Sequence, residues 1–148
     1  KEAEPLIPKL FNKIPIIYSS QNNAALAKII KIKFNEDAKI PSFFNYFPEL
    51  NHNEMTGWEK PVGPFHFLFL TDNNDHPRTK KRMLITADLL RKFGWNCESI
   101  KIKGDNPLEK MLWSLTFGDW LAYKLAIAYN VDPTPVKLVE ELKTKMRD

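Results

Sequence analysis

The sequence predicts an α/β protein, a three-layer α/β/α sandwich around a parallel sheet. Three observations carry that expectation. Short apolar runs alternate with stretches of helical apolar spacing in the order strand, helix, strand, helix, strand, helix. Phe67, Leu68, Phe69 and Leu70 are apolar in succession, as in a strand covered on both faces. Parallel neighbours need a crossover connection, and the intervening helices supply it.

Ile14 to Tyr18 is β-branched and aromatic, and Ser19-Ser20 closes it as the first strand. Ala24, Leu26, Ala27, Ile30 and Phe34 then give one apolar stripe, with Lys28, Lys31 and Lys33 mostly elsewhere on the cylinder. Ile40-Pro41 breaks that pattern. A short helix is expected from Pro48, suited to a first helical position, to Gly57, suited to a stop. Phe65 to Thr71 is the second strand, and Asp72 to Asp75 form its exit loop. From Pro77 to Phe93 the spacing of Met83, Leu84, Ala87 and Leu90 is helical, with Gly94 placed to end it. Trp95 to Lys103 alternates as a third strand. Asn106, Pro107 and Glu109 supply an N-cap, a first-turn proline and a capping partner for a long helix reaching Tyr129. Asp132-Pro133-Thr134-Pro135 interrupts the chain before a last helix in which Val139, Leu142 and Met146 share an apolar stripe. No internal repeat is visible.

The chain has 148 residues, the usual size of one domain. Hydrophobic residues at 43% and charged residues at 27% fit a globular protein and argue against disorder. No apolar run approaches the roughly 18 residues needed to cross a bilayer, and no signal-peptide pattern opens the sequence, so a cytoplasmic, membrane-free protein is expected. The single cysteine, Cys97, cannot close an internal disulfide or furnish a thiolate zinc set. A net charge of +4 favours anionic partners without choosing among them.

In open parallel sheets ligands sit beyond the carboxyl ends of the strands, which directs attention to the loops after Tyr18, Thr71 and Lys103. His76 precedes Pro77 and so falls at a helix N-cap on that face. Helix N-termini disfavour an imidazolium, so His76 is biased toward the neutral, proton-exchanging form. Its bland alternative is a capping histidine. Glu54, late in the expected short helix, would sit among carbonyl ends that raise its pKa, which suits a general base acting on a C–H bond beside a carbonyl. Its alternative is a solvated carboxylate. His52 and Glu54 are two residues apart and face different ways, so no metal site is expected. Ser19 and Ser20 offer hydroxyls to an anion but lack the glycine-rich lead-in of a phosphate loop. The basic run Arg78-Thr79-Lys80-Lys81-Arg82 wraps around its helix without interleaved aromatics, and reads as a solvated face rather than a nucleic-acid surface. Trp113, Trp120 and Tyr123 are expected in the core or at a dimer interface.

Taken in order, Ile14-Pro15-Ile16-Ile17-Tyr18, Ala38-Lys39-Ile40-Pro41 leading to Pro48-Glu49-Leu50-Asn51-His52-Asn53-Glu54, Asp75-His76-Pro77-Arg78, Gly118-Asp119-Trp120 and Val131-Asp132-Pro133-Thr134-Pro135-Val136 resemble the C-terminal half of bifunctional phosphoglucose/phosphomannose isomerases. The resemblance runs along nearly the whole chain. It implies the sugar isomerase (SIS) fold with a five-stranded parallel sheet, and cofactor-free aldose–ketose isomerisation of sugar 6-phosphates. By matching motif positions, Glu54 would move a proton between C1 and C2 through an enediol. His76 would assist ring opening, reaching the active site of a partner subunit in a homodimer. The family's C-terminal lysine falls on Lys143, with Lys137 as the second candidate, and would serve ring opening or stabilise oxyanion charge. Thr134 would line the sugar pocket. The resemblance also implies an N-terminal SIS domain whose Ser/Thr-rich loop binds the phosphate. A non-catalytic sugar-phosphate-binding or dimerisation module on the same fold is the alternative, and it has no need of Glu54, His76 and Lys143 together.

Overall fold

The computed structural model describes residues 2–147. A short helix, α1 (Ile7–Leu10), leads into β1 (Ile14–Ser20). Then come α2 (Ala24–Glu36), β2 (Phe43–Phe47), β3 (Phe65–Thr71), α3 (Pro77–Lys92), β4 (Asn96–Lys101), α4 (Pro107–Ala128) and α5 (Lys137–Lys145). The strands pair in parallel in the order β2-β1-β3-β4. The chain steps outward from β1 to β2 and then crosses back over β1 to reach β3. That reversal opens a crevice at the carboxyl ends of β1 and β3, where such sheets bind ligands.

Strand alternation divides the core into two layers. Ile17, Leu68 and Leu70 pack with Ala27, Ile30 and Phe34 of α2 and with Leu121 and Leu125 of α4. On the opposite face, Ile16, Tyr18, Phe67 and Phe69 pack with Met83, Ala87 and Leu90 of α3, and with Phe47 and Leu50. Burial on both faces explains the continuous apolar runs of β1 and β3. Gly118 lets α4 lie close on α2: a Cβ there would sit 3.2 Å from Lys33 Cγ and 3.5 Å from Ile30 Cα. Beside it, Lys33 and Asp119 form an ion pair of 2.7 Å.

The sandwich is as expected, but the described sheet has four strands rather than five. After β4 the described chain continues only into α4 and α5, so no further segment pairs along the free edge of β4. One of the four, β2, is not visible in the sequence pattern. It is an edge strand with Phe43 and Tyr46 exposed, and it gains its order from the ladder to β1 rather than from two-sided burial.

Three local expectations also change. Pro48–Gly57 is not one helix but two 3-10 turns, Glu49–Asn51 and Glu54–Trp58. Only Leu50 is buried along these turns, so no apolar stripe supports a full α-helix. Ser19 and Ser20 do not follow β1 but end it, in register with Tyr46 and Phe47 of β2. The last helix forms, yet α5 has no buried residue, and Val139, Leu142 and Met146 face outward. Of the aromatic trio on α4, Trp113 packs against the core, whereas Trp120 and Tyr123 are exposed. Among the described residues no helix is long and apolar enough to cross a membrane.

Candidate functional site

Glu54 opens the second 3-10 turn and lies half-buried over the sheet face that carries Tyr18. The carbonyl-end argument drawn from the sequence therefore has no basis, because Glu54 begins its turn instead of closing a helix. Its carboxylate faces donors. Tyr18 Oη donates to Oε1 at 2.6 Å, and Asn45 Nδ2 donates to Oε2. Tyr18 and Asn45 are directly opposed in the β1–β2 register, so one face of the sheet presents both. Trp58 Nε1 donates to Tyr18 Oη at 2.8 Å, and Trp95 Nε1 donates to the Trp58 carbonyl at 2.7 Å. Burial, reinforced by the hydrogen bond to Glu54, pushes the Tyr18 phenol well above its ordinary range, so it stays protonated and serves as a donor.

His76 is the N-cap of α3, as the sequence indicates, and is exposed. Its Nδ1 accepts from the Arg78 backbone N–H at 3.1 Å, so that nitrogen carries no proton and Nε2 is the donor in the neutral ring. The residue before it is tied down firmly. Asp75 is buried and accepts from Ser20 Oγ at 2.5 Å, from Asn23 Nδ2 at 3.1 Å and from the Asp72 backbone N–H at 3.2 Å. Asp72, also buried, accepts from Lys110 Nζ at 2.6 Å and from the Asn74 backbone N–H at 3.0 Å. This network walls a cavity of about 250 Å³ at the β1–β3 crevice.

Among the described residues, Ser20 is the one remaining candidate that joins either group, through its bond to Asp75. Ser19 Oγ donates to the Ser20 carbonyl at 3.0 Å, and with Ser20 committed to Asp75 both hydroxyls are buried in internal bonds. Thr134 is exposed, its backbone N–H donating to Asp132 Oδ1 at 2.9 Å. Lys143 is exposed on α5 and pairs with Glu140 at 2.9 Å. Lys137 stands at the first turn of α5 beside a groove shared with Lys39, Ile40 and Val131. Among the described residues no hydrogen bond or ion pair within one chain joins Glu54, His76 and Lys143. No group of three His, Cys, Asp or Glu side chains there is arranged to hold a metal ion.

Sequence reasoning missed Tyr18, Asn45 and Trp58. A tyrosine at the end of a fully buried strand was the available signal, since its hydroxyl must find a partner.

A doubly wound parallel sheet with a carboxylate held over one face and a histidine at the carboxyl-end rim defines the class: an open α/β sandwich of the doubly wound kind. The profile of the family described as "Bacterial phospho-glucose isomerase C-terminal SIS domain" matches residues 1–146, and the chain belongs to that family. A bifunctional phosphoglucose/phosphomannose isomerase of Aquifex aeolicus is 33% identical over 99% of this chain and 47% of its own length. One of Caldicellulosiruptor bescii is 39% identical over 99% of this chain and 44% of its own length. The chain thus spans under half the length of these curated relatives. In fold it is similar to a glucose-6-phosphate isomerase like protein from Thermus thermophilus, with a TM-score of 0.74 at 22% identity, covering 95% of this chain and 46% of that one.

Proposed function

We propose that this domain is the base-bearing C-terminal half of a cytoplasmic phosphosugar isomerase, interconverting glucose 6-phosphate, and mannose 6-phosphate, with fructose 6-phosphate. The observation that carries the reading is the Glu54 carboxylate, held on both oxygens over a rigid sheet in a chain of this family.

The chemistry divides into ring opening and proton transfer. Ring opening removes the proton from the anomeric hydroxyl, breaks the C1–O5 bond and delivers a proton to O5. His76, with Nε2 free to exchange a proton, performs it from the partner subunit of a homodimer, assisted by Lys143 or Lys137. Glu54 then takes the C2 proton, the electron pair forms the C1–C2 double bond of the enediol, and the carbonyl oxygen at C1 is protonated. Return of the proton to C1, with loss of the O2 proton, gives the ketose. Thr134 lines the sugar, and its small side chain suits either C2 epimer. Ser19 and Ser20 contribute by shaping the strand end. Phosphate binding falls to an N-terminal SIS domain, whose contacts hold the reacting carbons in place.

The test is Glu54→Gln in the protein that contains this domain, followed by fructose 6-phosphate formation and by exchange of the C2 hydrogen with solvent. Loss of both rates by about 10²- to 10⁴-fold is expected for a general base. Undiminished turnover removes the assignment and leaves a sugar-phosphate-binding or dimerisation module.

A further inference from the structure

Around Glu54 each donor is itself oriented by a group that can only donate. The Trp58 indole N–H has no acceptor capacity, so Tyr18 Oη must accept from it, and the single phenolic proton is left for Glu54 Oε1. The Tyr46 backbone N–H donates to Asn45 Oδ1 at 2.8 Å, which fixes the amide so that Nδ2 faces Glu54 Oε2. Neither donor can reverse its polarity without orphaning its neighbour. The two approach from adjacent strands, about 4.8 Å apart as in any sheet, and so reach the carboxylate from two sides.

We infer that Tyr18 and Asn45 are positioning residues that lock the plane of the Glu54 carboxylate, and that Trp58 acts through Tyr18 by fixing the direction of its proton. The inference rests on the reading of Glu54 as the base. A 3-10 turn with no buried residue is a poor mount for a group that must align with a C–H bond, and the sheet supplies the rigidity that the turn lacks. The benefit falls on the chemical step, because these donors act on the base itself.

The experiment measures kcat and KM for isomerisation in the protein that contains this domain. The variants are Tyr18→Phe, Asn45→Ala, Trp58→Phe, the Tyr18→Phe/Trp58→Phe double and Glu54→Gln. Tyr18→Phe and Asn45→Ala are expected to lower kcat about 10- to 100-fold, the cost of a misplaced reacting group. KM should change less than about threefold, as expected when only the transition state is affected. Trp58→Phe lowers kcat alone but adds nothing once Tyr18 is Phe.

If Glu54→Gln abolishes turnover while Tyr18→Phe and Asn45→Ala keep wild-type kcat, this inference is overturned and the base assignment stands. If Glu54→Gln turns over normally, or the wild-type protein shows no isomerase activity, the base reading fails and this one with it. An additive Trp58→Phe effect removes the role of Trp58. Should Tyr18→Phe fail to fold, Asn45→Ala on the edge strand decides the question by the same readouts.

Discussion

Lys110 Nζ lies 2.6 Å from Asp72 Oδ2, and both residues are buried where α4 begins over the β1–β3 crevice. Burial alone would raise the Asp72 carboxyl, but the hydrogen bond from Lys110 and the Asn74 N–H outweigh it and hold the group below its ordinary value. A depressed carboxyl adds stability above the unfolded value and loses it as pH falls through the folded one. Lys110→Met strands that carboxylate, and a loss of about 3–5 kcal/mol in chemical denaturation is expected. A change near zero would mean that the pair is dispensable.

His66 makes the second prediction. It lies buried in β3, and neither ring nitrogen has a hydrogen-bond partner among the described residues. Burial lowers its pKa from the ordinary 6.5; Glu98 opposes the shift, while Lys9 and Lys13 add to it. Because the unfolded chain binds the proton more tightly, the stability tied to neutral His66 is complete above that value. It falls as pH drops through 6.5 toward the lower folded value. Urea unfolding at several pH values should show this slope in the wild type and a shallower one in His66→Phe. Equal slopes would remove His66 as the cause.

Cys97 gives the third. It is buried on β4, and burial pushes its thiol up to about 11. The thiolate is the reactive form, so a chromogenic disulfide reagent at mildly alkaline pH should label the folded protein slowly and the denatured protein at once. Rapid, complete labelling without denaturant would contradict the burial.

How much was legible in the sequence follows from where each element finds its stability. β1 and β3 announce themselves because both faces are buried, and the α3 cap is visible because His76 and Pro77 act locally. β2 was hidden because an edge strand takes its order from the neighbouring strand. Pro48 and Gly57 punctuate a pair of 3-10 turns as readily as a helix, so local signals could not distinguish the two. Glu54 was singled out by resemblance and by a helix-end argument that its place at the start of a 3-10 turn removes. The Tyr18 and Asn45 donors were not, since their meeting depends on a register that pairs residues 27 positions apart. Lys110 likewise reaches Asp72 across 38 positions, through a contact that no local pattern encodes.

The outward face of α5 separates two kinds of selection. Leu138 and Met146 are 82% and 76% exposed, so the domain's own folding gains little from their being apolar. Polar replacements there should pass unnoticed in a melting curve of the isolated domain, and any penalty they carry belongs to whatever the helix meets outside it. A library scored for folding alone would therefore be silent along this face of α5.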